Sequence, residues 1–149
     1  SAAVRMRTTT DTFDCGTVQL QRGGTLKGAK IVYKTFGTLS PRRDNVIVYP
    51  TSYSAHHTDI EWLVDVRHCL DPSRYFIVIP NMFTNGLSTS PSNYAGGEFP
   101  NVTTYDNVTQ QRRLMNELFG VERDDSWCLR PWRLRHPRPR RHPGSRPRA

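Results

Sequence analysis

Asn45-Val46-Ile47-Val48-Tyr49 and Tyr75-Phe76-Ile77-Val78-Ile79 are two continuous apolar runs, and they decide the fold class. A strand with water on one face alternates apolar and polar residues, whereas a strand covered on both faces, as in a parallel sheet, does not. Between the runs, residues 58–70 carry Ile60, Leu63, Val64 and Cys69 at mostly helical spacing. Strand, helix and strand in that order predict a βαβ unit, because parallel neighbours need a long crossover connection.

Upstream, residues 12–20 and 30–36 are rich in Thr, Val, Ile, Tyr and Phe, with Arg22-Gly23-Gly24 as turn material between them. They predict a strand pair. Downstream, Thr103-Thr104-Tyr105-Asp106 places a hydroxyl three residues ahead of an acid, a variant of the capping box that opens helices. The spacing then predicts a helix from residue 104 with Val108, Gln111, Met115 and Leu118 as its stripe and Gly120 at the left-handed stop position. Residues 80–100, with three Gly, three Pro and much Ser and Asn, form the kind of long loop that shapes binding sites. The order β-β-β-α-β-loop-α makes the fold class α/β.

The chain has 149 residues, 36% of them hydrophobic and 23% charged, a profile that excludes collagen, coiled coil and low-complexity architectures. Its net charge of +8 is not spread over the chain. Residues 1–125 hold thirteen Lys or Arg and thirteen Asp or Glu, a net charge of 13 − 13 = 0, so the excess is eight arginines within 126–149. That segment also has five Pro, no acid and no Lys, and two readings fit it. A disordered arm with Trp127 and Trp132 could grip phosphates and stack on bases, so a small basic nucleic-acid-binding protein is one alternative. Arg, Pro, Gly and Ala are also what a GC-rich gene encodes out of frame, and the frameshift reading is preferred, which makes a nucleic-acid partner the lesser expectation.

Cys15, Cys69 and Cys128 form no C-x-x-C pair and no disulfide framework, so a reducing, cytoplasmic setting is expected. Residues 1–12 contain no apolar core of a signal peptide, and no apolar run approaches the roughly 20 residues that span a bilayer, so no membrane partner is expected.

Several motifs together resemble one known family. They are Ile31-Val32-Tyr33-Lys34-Thr35-Phe36-Gly37-Thr38-Leu39, Asp44-Asn45-Val46-Ile47-Val48, Leu70-Asp71-Pro72-Ser73-Arg74-Tyr75-Phe76-Ile77-Val78, Asn81 with the loop Ser88-Thr89-Ser90-Pro91-Ser92, Phe99-Pro100 and Asp106-Asn107-Val108. Over about residues 13–123 the chain is similar to the N-terminal part of homoserine O-acetyltransferases. The resemblance implies an incomplete α/β-hydrolase fold, with residues 1–125 supplying the N-terminal strands and first helices of a mostly parallel sheet and 126–149 a disordered or frameshift-derived tail. It also implies acyl transfer from acyl-CoA to a hydroxyl through an acyl-serine, in methionine biosynthesis, by a small-molecule donor and acceptor with no bound cofactor. An esterase on the same fold is the close alternative.

That chemistry needs a serine on a G-x-S-x-G elbow, with an acid and a histidine later in the chain. No G-x-S-x-G occurs among the 149 residues, so the resemblance implies a truncated chain that is inactive alone and has no catalytic residue of its own. Gly86-Leu87-Ser88-Thr89-Ser90 ends in Ser where the tight elbow needs Gly, and it lies in a loop. The loop Tyr49-Pro50-Thr51-Ser52-Tyr53 is where the family places one of two main-chain oxyanion donors, and Thr51 best matches that position. Thr51, Ser52 and Tyr53 are therefore the oxyanion and substrate-loop candidates, although the side chains depart from the family's His-x-Leu-Thr-Gly. His56, His57, Asp59 and Glu61 are metal-ligand types, but adjacent histidines point apart and a polar loop near the site is the preferred reading. Asp106 is assigned to its helix start and not to catalysis. With the family's next strand absent, residues 46–48 would become an exposed sheet edge, and a homo-oligomer or aggregate is expected.

Overall fold

In the computed structural model, which describes residues 7–52 and 54–122, the two apolar runs do pair in parallel. Strand β3 (Val46–Val48) lies beside β4 (Phe76–Pro80) in the register Val46↔Phe76, Ile47↔Ile77 and Val48↔Val78. Both faces of β4 are covered, which accounts for its unbroken apolar sequence. Phe76 and Val78 point into a core beneath helix α2 (Thr104–Phe119), and Ile77 and Ile79 into a second core with Phe36, Val64 and Leu70.

The expected strand pair forms β1 (Thr8–Gln19) and β2 (Thr25–Phe36), each beginning earlier than predicted, by four and five residues. The sheet order is β1-β2-β4-β3. Among the described residues β1/β2 and β2/β4 are antiparallel and β3/β4 alone is parallel, so the expectation of a mostly parallel sheet is corrected here. The hairpin carries two β-bulges. The register passes from Asp14↔Lys30 to Gly16↔Ala29 and then to Val18↔Leu26, so β1 has one extra residue before Gly16 and β2 one extra residue after it. Gly16 at φ 67° and Gly28 at φ 59° take the left-handed conformation that such bulges require.

Beyond its pairing with β4, the same edge of β2 is completed by side chains of the long loop. Thr89 Oγ1 accepts the Lys30 N–H at 2.7 Å, Ser88 Oγ accepts the Val32 N–H at 3.0 Å, and the Tyr94 hydroxyl accepts the Lys27 N–H at 3.3 Å. A buried strand edge must find partners, and the Ser-Thr run supplies them.

The predicted helix over 58–70 is much shorter in the structure. Helix α1 (His57–Ile60) makes one turn, a 3-10 turn follows at Glu61–Leu63, and the chain then leaves helical geometry, with Val64 extended at φ −90°, ψ 91°. Two causes are visible. Val64 turns into the second core, and the Asp65 carboxylate accepts the Arg67 N–H at 2.8 Å, a local bond that competes with the helical ladder. The same arginine, hydrogen-bonded through its side chain, holds the Asp65 carboxyl down to about 2.

Helix α2 begins and ends as its sequence predicts. Thr103 is the N-cap, its hydroxyl accepting the Asp106 N–H while Asp106 Oδ2 accepts the Thr103 N–H at 2.8 Å, and Gly120 closes the helix at φ 60°. The stripe is corrected in part: Gln111 and Met115 are buried, but Val108 and Leu118 are 38% and 47% exposed. The inward face instead runs through Asp106, Asn107, Gln110, Gln111, Leu114 and Met115. Its first turn meets loops whose amides need acceptors. Asp106 Oδ1 takes the Gln21 N–H at 2.8 Å and Asn107 Oδ1 the Phe83 N–H at 2.7 Å.

β3 lies at one end of the described sheet. Asn45 O, Tyr49 N and Thr51 N all bond toward β4, so by the alternation of a strand the amides of Val46 and Val48 face the open side. No helix among the described residues is long and apolar enough to cross a membrane. The arginine-rich segment 126–149, with both readings placed on it, lies outside the described residues.

Candidate functional site

The parallel pair β3/β4 directs its carboxyl ends to one side of the sheet, the place where open α/β sheets bind ligands. The loop after β3 starts there. Thr51 is not the free donor that the sequence expectation makes it: its N–H donates to Pro80 O at 3.2 Å, extending the parallel ladder, and its hydroxyl accepts the Met82 N–H at 3.1 Å. It is 2% exposed and structural. The next residue differs. Ser52 is exposed, its carbonyl accepts the Ala55 N–H at 3.0 Å to close a turn, and its own N–H has no acceptor among the described residues. Ser54 within that turn sits at φ 62°, a conformation that serine adopts at some cost and that marks a constrained loop. Tyr53, the third candidate, lies outside the described residues.

A buried amide fixes this loop from beneath. Asn81 follows β4 and is fully buried. Its Oδ1 accepts the His57 N–H and an Asn85 Nδ2–H, each at 3.0 Å. Its Nδ2 donates to Val32 O at 2.8 Å and lies 3.0 Å from His57 Nδ1. With both Nδ2 hydrogens so directed, His57 Nδ1 is an acceptor and the imidazole proton sits on Nε2, which faces Glu61 Oε1 at 3.8 Å. Lys34 Nζ holds the same carboxylate at 2.8 Å. Asn85 Nδ2 reaches Ala55 O at 3.0 Å, and His56 Nε2 lies 2.8 Å from Asn85 O. Thr51 and residues 55–57 are thus tied by hydrogen bonds to residues 81–85.

Sequence reasoning placed neither Asn81 nor Asn85 in a role. The available signal was an Asn immediately after an unbroken apolar strand, where a buried amide must be serving neighbouring backbone groups. The four metal-ligand types do not converge: His56 Nε2 goes to Asn85 O, His57 Nδ1 to Asn81, Asp59 to the His56 N–H at 2.7 Å, and Glu61 to Lys34, with His57 Nε2 at 3.8 Å from the same carboxylate. Among the described residues no three His, Cys, Asp or Glu gather as a metal site. Ser88 is fully buried, and its hydroxyl, besides accepting from Val32, donates to Asn81 O at 2.8 Å. Neither its position nor its bonding suits a nucleophile.

No protein-family model matches the chain. It is 39% identical over 117 residues to a probable esterase of Corynebacterium glutamicum, covering 74% of this chain and 34% of that protein. It is 34% identical to an ethyl acetate hydrolase of Pseudomonas veronii (74% and 33% covered) and 31% identical to a homoserine O-acetyltransferase of Chlorobaculum tepidum (71% and 33% covered). Its fold superposes on the crystal structure of an acetylester hydrolase from Corynebacterium glutamicum with a TM-score of 0.72 at 38% identity, over 76% of this chain and 34% of that one. The homologues of this chain are therefore esterases and homoserine O-acetyltransferases of the α/β-hydrolase fold, and the chain spans about a third of their length.

Proposed function

We propose that these residues belong to an acetyl-ester hydrolase site and supply its oxyanion side, with the Ser52 N–H as one of two main-chain donors. The observation that carries this reading is the Ser52 amide beyond the carboxyl end of β3, without an acceptor among the described residues and flanked by the bonded amides of Thr51 and Ala55. Attack of a serine hydroxyl on an ester carbonyl places a negative charge on the carbonyl oxygen. An amide fixed in advance stabilises that charge without reorganising, and one such donor is worth roughly 10²–10³ in kcat. The alcohol then leaves with a proton, and water releases acetate from the serine. Thr51 and Asn81 are positioning residues, acting through the loop and not on the substrate.

No G-x-S-x-G motif supplies a nucleophilic serine in these 149 residues, so the chain alone is expected to hydrolyse p-nitrophenyl acetate no faster than buffer. Ester hydrolysis is preferred to acyl transfer because the esterase relatives share 39% and 34% identity against 31% for the transferase, and because Tyr49-Pro50-Thr51-Ser52-Tyr53 lacks the family's His-x-Leu-Thr-Gly. Transfer from acyl-CoA to homoserine is the second reading. Replacing the matching third of the Corynebacterium glutamicum esterase by residues 7–122 tests both. Hydrolysis of p-nitrophenyl acetate that collapses on Ser52→Pro supports the proposal. Preferential acetylation of homoserine supports the second reading, and activity indifferent to Ser52→Pro overturns the assignment of the donor.

A further inference from the structure

We propose a second, separate binding groove for a small organic anion, an oxyanion head on a short apolar body, between the β1/β2 hairpin and the loop carrying Leu87 and Tyr94. The groove offers about 680 Å³, within the roughly 300–1,000 Å³ of small-molecule sites, and no acidic residue among the described ones lines it. Val32 and Leu87 form an apolar floor, and Lys27, Lys30, Thr12 and Tyr94 stand around it.

The placing of the two lysines follows from the backbone. Residues three apart in a regular strand point to opposite faces. The extra residue of the bulge at Gly28 cancels that alternation, so Leu26 and Ala29 are both buried under α2 while Lys27 and Lys30 both line the groove. Bulges re-aim side chains in this way beside functional sites. Neither lysine has a carboxylate partner among the described residues. The acid opposite Lys30, Asp14, has its Oδ1 on the Gly16 N–H at 2.8 Å, within its own bulge. Lys34, on the same strand, is by contrast paired with Glu61. The Tyr94 ring is braced edge-on against Phe99 at 5.3 Å, and since its oxygen accepts the Lys27 N–H, its hydroxyl proton remains available to an anion. Two lysines and a tyrosine hydroxyl lining a groove with an apolar floor match an anionic head with a short apolar body.

Calorimetric titration of the full chain at low ionic strength with phenyl phosphate, hexanoate and inorganic phosphate tests this. Saturable binding of phenyl phosphate or hexanoate is expected, and comparing the two tells which head group is preferred. Affinity should fall about tenfold in Lys27→Gln/Lys30→Gln, the cost of two charge-assisted bonds, and return in Lys27→Arg/Lys30→Arg. Leu87→Ser should weaken phenyl phosphate and leave inorganic phosphate unchanged. No saturable site for either organic anion overturns the proposal. So does binding unaltered by the double glutamine variant, which would place it on the arginines of 126–149, and so does equal affinity for phenyl and inorganic phosphate, which would mean the floor is not used.

Discussion

Asn81 Nδ2 lies 3.0 Å from Nδ1 of His57, and through that one bond a buried asparagine sets which nitrogen of the imidazole carries its proton. Asn81 cannot reverse its amide, because its oxygen already receives two N–H groups and its nitrogen already donates to Val32. Replacing it by Asp keeps the acceptors and removes the donors. In Asn81→Asp the His57 proton should move to Nδ1, read from imidazole nitrogen shifts, whereas Asn81→Ala should cost about 3 kcal/mol by urea denaturation, since several buried groups lose a partner at once.

Asp106 gives a prediction with a definite pH sense. Burial pushes its carboxyl up, but the N–H groups of Thr103 and Gln21 and the Thr103 hydroxyl outweigh burial and hold it below the ordinary carboxylate range. A carboxyl lowered by folding stabilises the native state above its unfolded value, about 3.9, and that contribution is lost as pH falls through the lower folded value. Asp106→Asn should therefore lower the urea midpoint at neutral pH and flatten its decline below about pH 4 relative to the parent. An equally steep decline in the variant would place the acid sensitivity elsewhere.

Gly37 sits at φ 81°, and a Cβ there would overlap the carbonyl oxygens of Tyr75 and Pro72, which are backbone and cannot swing aside. Gly37→Ala should cost more than about 3 kcal/mol and lower the melting temperature sharply, because both its conformation and its space are lost. Gly23→Ala, at φ 90° with open space around it, pays the conformational cost alone and should be the milder variant.

The outward amides of Val46 and Val48 predict association through β3, seen as a mass that rises with concentration in light scattering. Val46→Pro should suppress it by removing one of those donors. A concentration-independent monomer would show that the open side is covered.

The frameshift reading of residues 126–149 is tested in the gene. Read in the other two frames, the nucleotides after the Asp125 codon are expected to encode a short apolar strand followed by G-x-S-x-G. Its absence from both frames would favour the arginine arm as a designed segment.

The apolar runs 45–49 and 75–79 were legible because burial on both faces writes itself into composition, and the cap at Thr103 and stop at Gly120 because single residues there carry the geometry. The segment after Ile60 was not legible, since Ile60, Leu63 and Val64 have helical spacing and a side chain, that of Asp65, breaks the helix locally. Val108 and Leu118 misled for a related reason: α2 turns amides and a carboxylate inward to serve loops, so apolarity did not mark its buried face. The loop after β3 could be located from sequence, but which of its amides is free depended on where Pro80 O lies, a fact of pairing and not of composition.

The two bulges of the hairpin have opposite senses, one extra residue in β1 and one in β2, so the pairing Val18↔Leu26 returns to the register set at Asp14↔Lys30. Deleting either extra residue alone would put Cys15 and Val18, or Leu26 and Ala29, two apart on one face as in a regular strand, while the other bulge stays as it is, so the core face survives each single deletion. Deleting both would leave a regular hairpin with its core face intact. Along a lineage, then, either bulge can be lost alone at its own position without exposing the core, whereas a one-residue deletion elsewhere in the hairpin would reverse the faces of everything beyond it.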